Sequence, residues 1–141
     1  MKFDIEFTPE LVALIVAVGL IIIIILAVII FLYSRKPHSR RFRKKWTRIK
    51  SKLPKEDQWV EALVEADNLL DAALRKKNYT GKTVGEKLVK AEKIFTDKDE
   101  VWFGHKLSKK AQEKPDFKIK KADMKRALLG LQKGLKDLDV L

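Results

Sequence analysis

Three groups of residues have types and spacings that could do chemistry. Asp67 and Asp71 stand one helical turn apart, a placement that would turn two carboxylates toward one cleft for acid–base work. His105, Ser108 and Gln112 recur every three to four residues, so a helix would gather an imidazole and a hydroxyl on one polar stripe. Gly81-Lys82-Thr83 has the closing letters of a phosphate loop. That motif also needs a glycine five residues earlier, where this chain has Lys76, and a preceding strand, where it has a helical pattern. Each group has a plainer use. Asp67, on the shoulder of an apolar helix face, is expected to bond a neighbouring lysine or a helix end. His105 is expected to be a hydrogen-bonded structural histidine on a partly solvated edge.

Composition narrows the chemistry further. There is no cysteine and only two histidines, His38 and His105, which removes disulfides, thiolate nucleophiles and any zinc set built from cysteine and histidine. No metal and no cofactor is expected. The formal net charge is +12, and ten lysines and arginines fall between residues 35 and 52 with no acid among them. The basicity is therefore a block and not a property of the whole chain. Its position after a long apolar run points to anionic lipid head groups, with Arg35, Lys36, Arg40, Arg41, Arg43, Lys44, Lys45 and Arg48 as the candidate contacts.

That apolar run, residues 11–33, organises the chain. It holds no charge and no polar side chain before its closing tyrosine, and as a helix at about 1.5 Å per residue it outspans the roughly 30 Å hydrocarbon core. A cleaved signal would have a basic leading flank and a shorter core, whereas residues 1–10 carry Asp4, Glu6 and Glu10 against Lys2. The expectation is a retained single span with residues 1–10 outside and the basic side in the cytoplasm, in a plasma membrane or bacterial inner membrane.

The remaining chain reads as helices. Within residues 34–53, Phe42, Trp46, Ile49 and Leu53 make one narrow apolar stripe on a cationic helix, suited to packing on the following domain or to lying in the membrane interface. Residues 54–141 are expected to form the bundle. Pro54 reads as the first position of a helix running to about residue 77, with Trp59, Leu63, Ala66, Leu70, Ala73 and Leu74 on its inner face. Thr83 and Glu86 form a capping box before a Val84, Leu88, Ala91 and Phe95 stripe, and Thr96-Asp97 caps the next helix, about residues 99–114. Pro115 stops that helix. The last one carries Met124, Ala127, Leu128, Leu131, Leu135 and Leu138, with Gly130 and Gly134 four apart. The fold class is all-α: an N-terminal transmembrane helix and a small cytoplasmic bundle of four to five helices.

The runs Glu65-Ala66-Asp67-Asn68-Leu69-Leu70-Asp71, Asn78-Tyr79-Thr80-Gly81-Lys82-Thr83-Val84-Gly85-Glu86-Lys87-Leu88 and Val101-Trp102-Phe103-Gly104-His105-Lys106 resemble HEPN-like helical domains of small bacterial membrane-anchored proteins. The resemblance covers roughly residues 40–141 and implies a helical bundle, often dimeric. Many such domains are ribonucleases with an Arg-Asn pair followed after three residues by His. The corresponding positions here hold Ser108, Lys109 and Glu113, and none of them matches. The resemblance thus implies an interaction site or a vestigial one around Asp67, Asp71, His105, Ser108, Lys109 and Glu113. The expected function is a non-catalytic interaction or scaffold module, with a homodimer or protein partner docking through the helix of His105 and Ser108 or through the last helix. The alternative is a tethered RNA-binding domain using Lys106, Lys109, Lys110, Lys114, Lys118, Lys120 and Lys121.

Overall fold

The computed structural model describes residues 8–34 and 36–141, with the side chains of residues 33–38 excepted. Arg35 and the side chains of Lys36 and His38 therefore lie outside the described residues, as do residues 1–7. The chain divides into two units, Met1–Pro37 and His38–Leu141.

The described part of the first unit is α1, Pro9–Ser34. Thr8 caps it: the Thr8 hydroxyl accepts from the Leu11 N–H at 3.3 Å and its carbonyl from the Val12 N–H at 3.1 Å. Pro9 takes the first helical position, where a missing N–H costs nothing. Pro9–Leu32, 24 residues, is long and apolar enough to cross a membrane. Its large apolar side chains stand exposed from Val12 to Leu32.

The second unit holds α2 (Lys36–Ser51), α3 (Trp59–Lys76), α4 (Val84–Lys90), α5 (Lys98–Glu113) and α6 (Lys121–Asp137), with 3-10 turns at Glu56–Gln58 and Glu92–Ile94. Among the described residues there is no strand. α5 and α6 pack on each other, α3 packs on both, and α4 rests on α3. One core runs through all of them. It takes in Leu63, Leu70 and Leu74 from α3, Leu88 from α4, Val101 from α5, and Leu131 and Leu135 from α6, each shielded from solvent. Phe42, Trp46 and Ile49 of α2 join the same core, so the compact unit begins at residue 38 and not at the expected boundary of 54. Burying two large aromatics and an isoleucine stabilises that arrangement by several kcal/mol, at about 1.5–3 kcal/mol per fully buried side chain.

The helix expected from Pro54 begins only at Trp59. The Trp59 indole N–H donates to the Leu53 carbonyl at 2.9 Å, which holds residues 53–58 as a turn and a 3-10 segment in front of the helix. At the other end, Asn78 adopts φ 64° and the Tyr79 N–H reaches back to the Leu74 carbonyl at 3.0 Å, a left-handed cap that stops α3. α6 ends the same way, with Asp139 at φ 57° and the Val140 N–H on the Leu135 carbonyl at 3.2 Å.

α4 starts on its expected cap. The Thr83 hydroxyl accepts from the Glu86 N–H at 3.2 Å, while the Glu86 carboxylate accepts from the Lys82 N–H at 2.8 Å, one residue before the position a capping box would use. The Thr96-Asp97 cap differs from expectation. Asp97 occupies the N-cap of α5 but makes no side-chain cap bond, because its carboxylate takes the Lys133 ammonium of α6 at 3.0 Å. Thr96 instead donates to Asp137, through its N–H at 2.9 Å and its hydroxyl at 3.0 Å.

The tightest contact lies between α5 and α6. A Cβ added at Gly130 would stand 2.2 Å from the Glu100 carbonyl oxygen, and one at Gly104 would stand 2.7 Å from Leu131 Cγ and 2.9 Å from the Ala127 carbonyl oxygen. The two helices approach backbone to backbone there, which offsets the helix propensity those glycines forgo. Gly130→Ala in the full chain is expected to lose about 1–3 kcal/mol, since a backbone carbonyl cannot rotate away. Gly85→Ala, whose added Cβ would meet Trp102 at an ordinary 3.6 Å, is expected to leave stability unchanged or slightly raised. Thermal unfolding followed by circular dichroism in detergent checks both. An unmoved midpoint in Gly130→Ala would sink this account of the crossing.

Candidate functional site

Helical periodicity brings Asp67 inward on α3, and the packing of α5 on α3 sets His105 opposite it. His105 Nδ1 lies 3.0 Å from each Asp67 carboxylate oxygen, with side chains only 8% and 6% exposed. A carboxylate only accepts, so Nδ1 carries the hydrogen and donates it across the pair of oxygens. The Trp102 ring stands edge-on to the imidazole, centroids 5.9 Å apart and planes at 68°. Asp67 was expected to bond a lysine or a helix end, and it bonds a histidine 38 residues away instead. His105 is hydrogen-bonded as expected but sits in the interior and not on a solvated edge.

Ser108 is fully buried one turn further along α5. Its hydroxyl accepts from Gln112 Nε2 at 3.2 Å, and no hydrogen bond joins it to His105 among the described residues. A nucleophile needs that bond to its base. The arrangement thus supplies a base with an orienting carboxylate and no hydroxyl coupled to it. Neither the His105 nor the Ser108 side chain offers a docking surface of its own, since both are buried. Lys109 and Glu113 point to solvent on the same helix. Asp71, one turn from Asp67, is held by the Lys87 ammonium at 2.6 Å and by Arg75 at 3.3 Å, so the two aspartates serve different partners.

The exposed charges sort into paired and unpaired sets. Lys52 donates to Glu61 at 2.7 Å and to Glu65 at 2.8 Å, closing the end of α2 onto α3. These bonds raise the Lys52 ammonium above its ordinary value and lower Glu61 below the usual carboxylate range. Arg126 grips Glu100 through Nε at 2.9 Å and Nη2 at 2.7 Å while lying 4.0 Å above the Phe103 ring. That hydrogen-bonded guanidinium lowers Glu100, and the Lys133 ammonium lowers Asp97. In contrast, Arg40, Arg41, Arg43, Lys44 and Lys45 of α2 are exposed and make no ion pair among the described residues, while the exposed Arg48 adds a little to the lowering of Glu61.

Beside α2 runs a groove of about 290 Å³, walled by Trp46, Leu53, Trp59, Met124, Leu128 and Leu129, with Lys50, Lys121 and Lys125 along it. Helix periodicity showed Trp46, Leu53, Trp59, Met124 and Leu128 separately but not Leu129, and no signal in the sequence joined α2 to α6. The chain matches no family model, no curated protein and no solved structure.

Two measurements follow from this geometry. Asp67→Ala leaves a buried imidazole N–H without its acceptor and is expected to cost about 1–3 kcal/mol, whereas Asp67→Leu combined with His105→Phe recovers most of that loss. A thermodynamic cycle in the full chain reads the coupling, and simply additive single and double variants would contradict it. The lowered carboxylates Glu61, Asp97 and Glu100 contribute stability that is present above their ordinary values of 4.5, 3.8 and 4.5 and is lost as pH falls through the lowered ones. The thermal midpoint is therefore expected to hold from neutral pH to about 5 and fall below about 4, less steeply in Glu100→Gln.

Proposed function

We propose that this protein is a single-span membrane-anchored, non-catalytic helical module whose bundle works on the cytoplasmic face, against anionic head groups. The observation that carries this reading is the set of five exposed, unpaired basic side chains of α2, Arg40, Arg41, Arg43, Lys44 and Lys45, with Arg48 exposed beside them, on the helix that follows the apolar helix in sequence. At about 1 kcal/mol per basic residue near an anionic surface, such a face has a large attraction to lipid phosphate. The same basic block sets the orientation, with the N-terminus outside. The fold reads as a HEPN-like bundle in which Ser108 is buried and Lys109 and Glu113 are in solvent, so the positions of the ribonuclease motif do not converge on a reacting group. The His105–Asp67 pair is interior glue in this reading. Its remaining outer faces on α5 and α6 present a lysine-rich surface to a protein partner or a second copy.

The test uses the full chain in nanodiscs of zwitterionic or anionic lipid, with hydrogen exchange read along α2. Anionic discs are expected to slow exchange of α2 amides at low salt and to lose that effect near 1 M salt, where the screening length shrinks to about 3 Å. Arg41→Glu combined with Lys44→Glu is expected to remove it. Equal exchange in both lipids would refute the reading. Salt-sensitive binding of labelled single-stranded RNA, weakened by Lys109→Glu and Lys110→Glu, would put the RNA-binding alternative in its place.

A further inference from the structure

The groove between α2 and α6 combines three features. Its walls are mostly apolar, with two indoles, a thioether and leucines beside the amide of Gln132, and no carboxylate lines it. Leu129, at its edge, is 50% exposed, the one large apolar side chain of α6 left in solvent. The Trp46 indole N–H, in the groove wall, is buried without a hydrogen-bond acceptor, alone in this among the described side chains. Trp59 beside it spends its N–H on the Leu53 carbonyl. An unpaired buried donor is costly, so this wall of the groove is not held by a polar bond of its own.

The flanking charges are equally one-sided. Lys121 and Lys125 stand one turn apart at the start of α6, where the helix end adds positive field, and Lys50 faces them from α2. None of the three makes an ion pair among the described residues, whereas Lys52, Lys87, Lys98 and Lys133 all do. An apolar slot bordered by three unpaired ammonium groups is complementary to an anion with a hydrocarbon tail. A free phosphate would gain nothing from its walls.

We infer that this groove binds one acyl chain of an anionic bilayer lipid, with Lys50, Lys121 and Lys125 holding the head group. The inference rests on the reading of the bundle as a module facing anionic lipid, and turns a diffuse attraction into a site for a single molecule. The chain would then respond to the presence of that lipid and not only to surface charge.

The experiment places the full chain, carrying Trp102→Phe so that Trp46 and Trp59 report, in zwitterionic nanodiscs doped with phosphatidylglycerol whose acyl chains bear bromine, a contact quencher. Indole emission is expected to fall by roughly half, because a seated ligand keeps most of its surface against the pocket. The same brominated chains on phosphatidylcholine are expected to quench far less. Leu129→Glu, and separately Lys121→Glu with Lys125→Glu, should restore emission without moving the thermal midpoint, since all three side chains are exposed. Equal quenching by both lipids, unchanged quenching in Leu129→Glu, or full displacement by glycerol phosphate alone would overturn the inference, as would a crosslink from residue 129 to a second copy. If α2 exchange still slows in anionic discs while bromine fails to quench, the groove assignment falls and the proposed function stands. If neither responds, both fall.

Discussion

The backbone contact of α5 with α6 is the constraint on which the rest of the bundle depends. Gly130 lets the Glu100 carbonyl rest on α6, and Gly104 admits Leu131 and the Ala127 carbonyl against α5. Once that distance is set, the rotation of α5 about its axis is set too. Val101, Leu107 and Ala111 are then driven into the core, and His105 turns toward α3, where Asp67 waits. The polar bonds around the crossing follow from the same placement. Arg126 reaches Glu100, Lys133 reaches Asp97, and Asp137 receives both donors of Thr96. Exposed pairs like these each contribute little alone, but together they hold the start of α5 to the body of α6.

Charge is distributed by a simple division. Lysines and arginines on α3 to α6 that stand near a carboxylate are engaged, as Lys87 is by Asp71 and Lys133 by Asp97, and Lys52 just after α2 is held by two glutamates of α3. Residues 35–52 contain no carboxylate of their own, and Arg40, Arg41, Arg43, Lys44 and Lys45 of α2 make no ion pair among the described residues. The surplus positive charge is thereby concentrated on one helix and along the groove beside it. A folded domain that needed this charge only for solubility would have no reason to segregate it so.

The helices and their inner faces were largely legible from local pattern. Leu63, Ala66, Leu70 and Leu74, and later Met124, Leu128, Leu131 and Leu135, recur at helical spacing and are all buried. Local signals at helix ends fared less evenly. Thr83 caps α4 as its spacing predicts, whereas Asp97 is drawn away by Lys133 and Pro54 is overruled by the Trp59 indole bond to Leu53. Asp97 meets a partner 36 residues away, and Leu53 meets an indole six residues on, because a charged or indole donor offers more than a cap contributes on its own.

By itself the sequence determined the all-helical class, the long apolar helix at the N-terminal end, the block of positive charge after it and the residues that would turn inward. These depend on hydration and on the 3.6-residue period, which neighbours along the chain already express. Only the tertiary structure decided which inward polar residues meet. The pairing of Asp67 with His105, the isolation of Ser108 from that base and the groove shared by α2 and α6 depend on how far apart two helices lie and how each is rotated. Those quantities come from side chains interlocking across dozens of residues, and no local period encodes them.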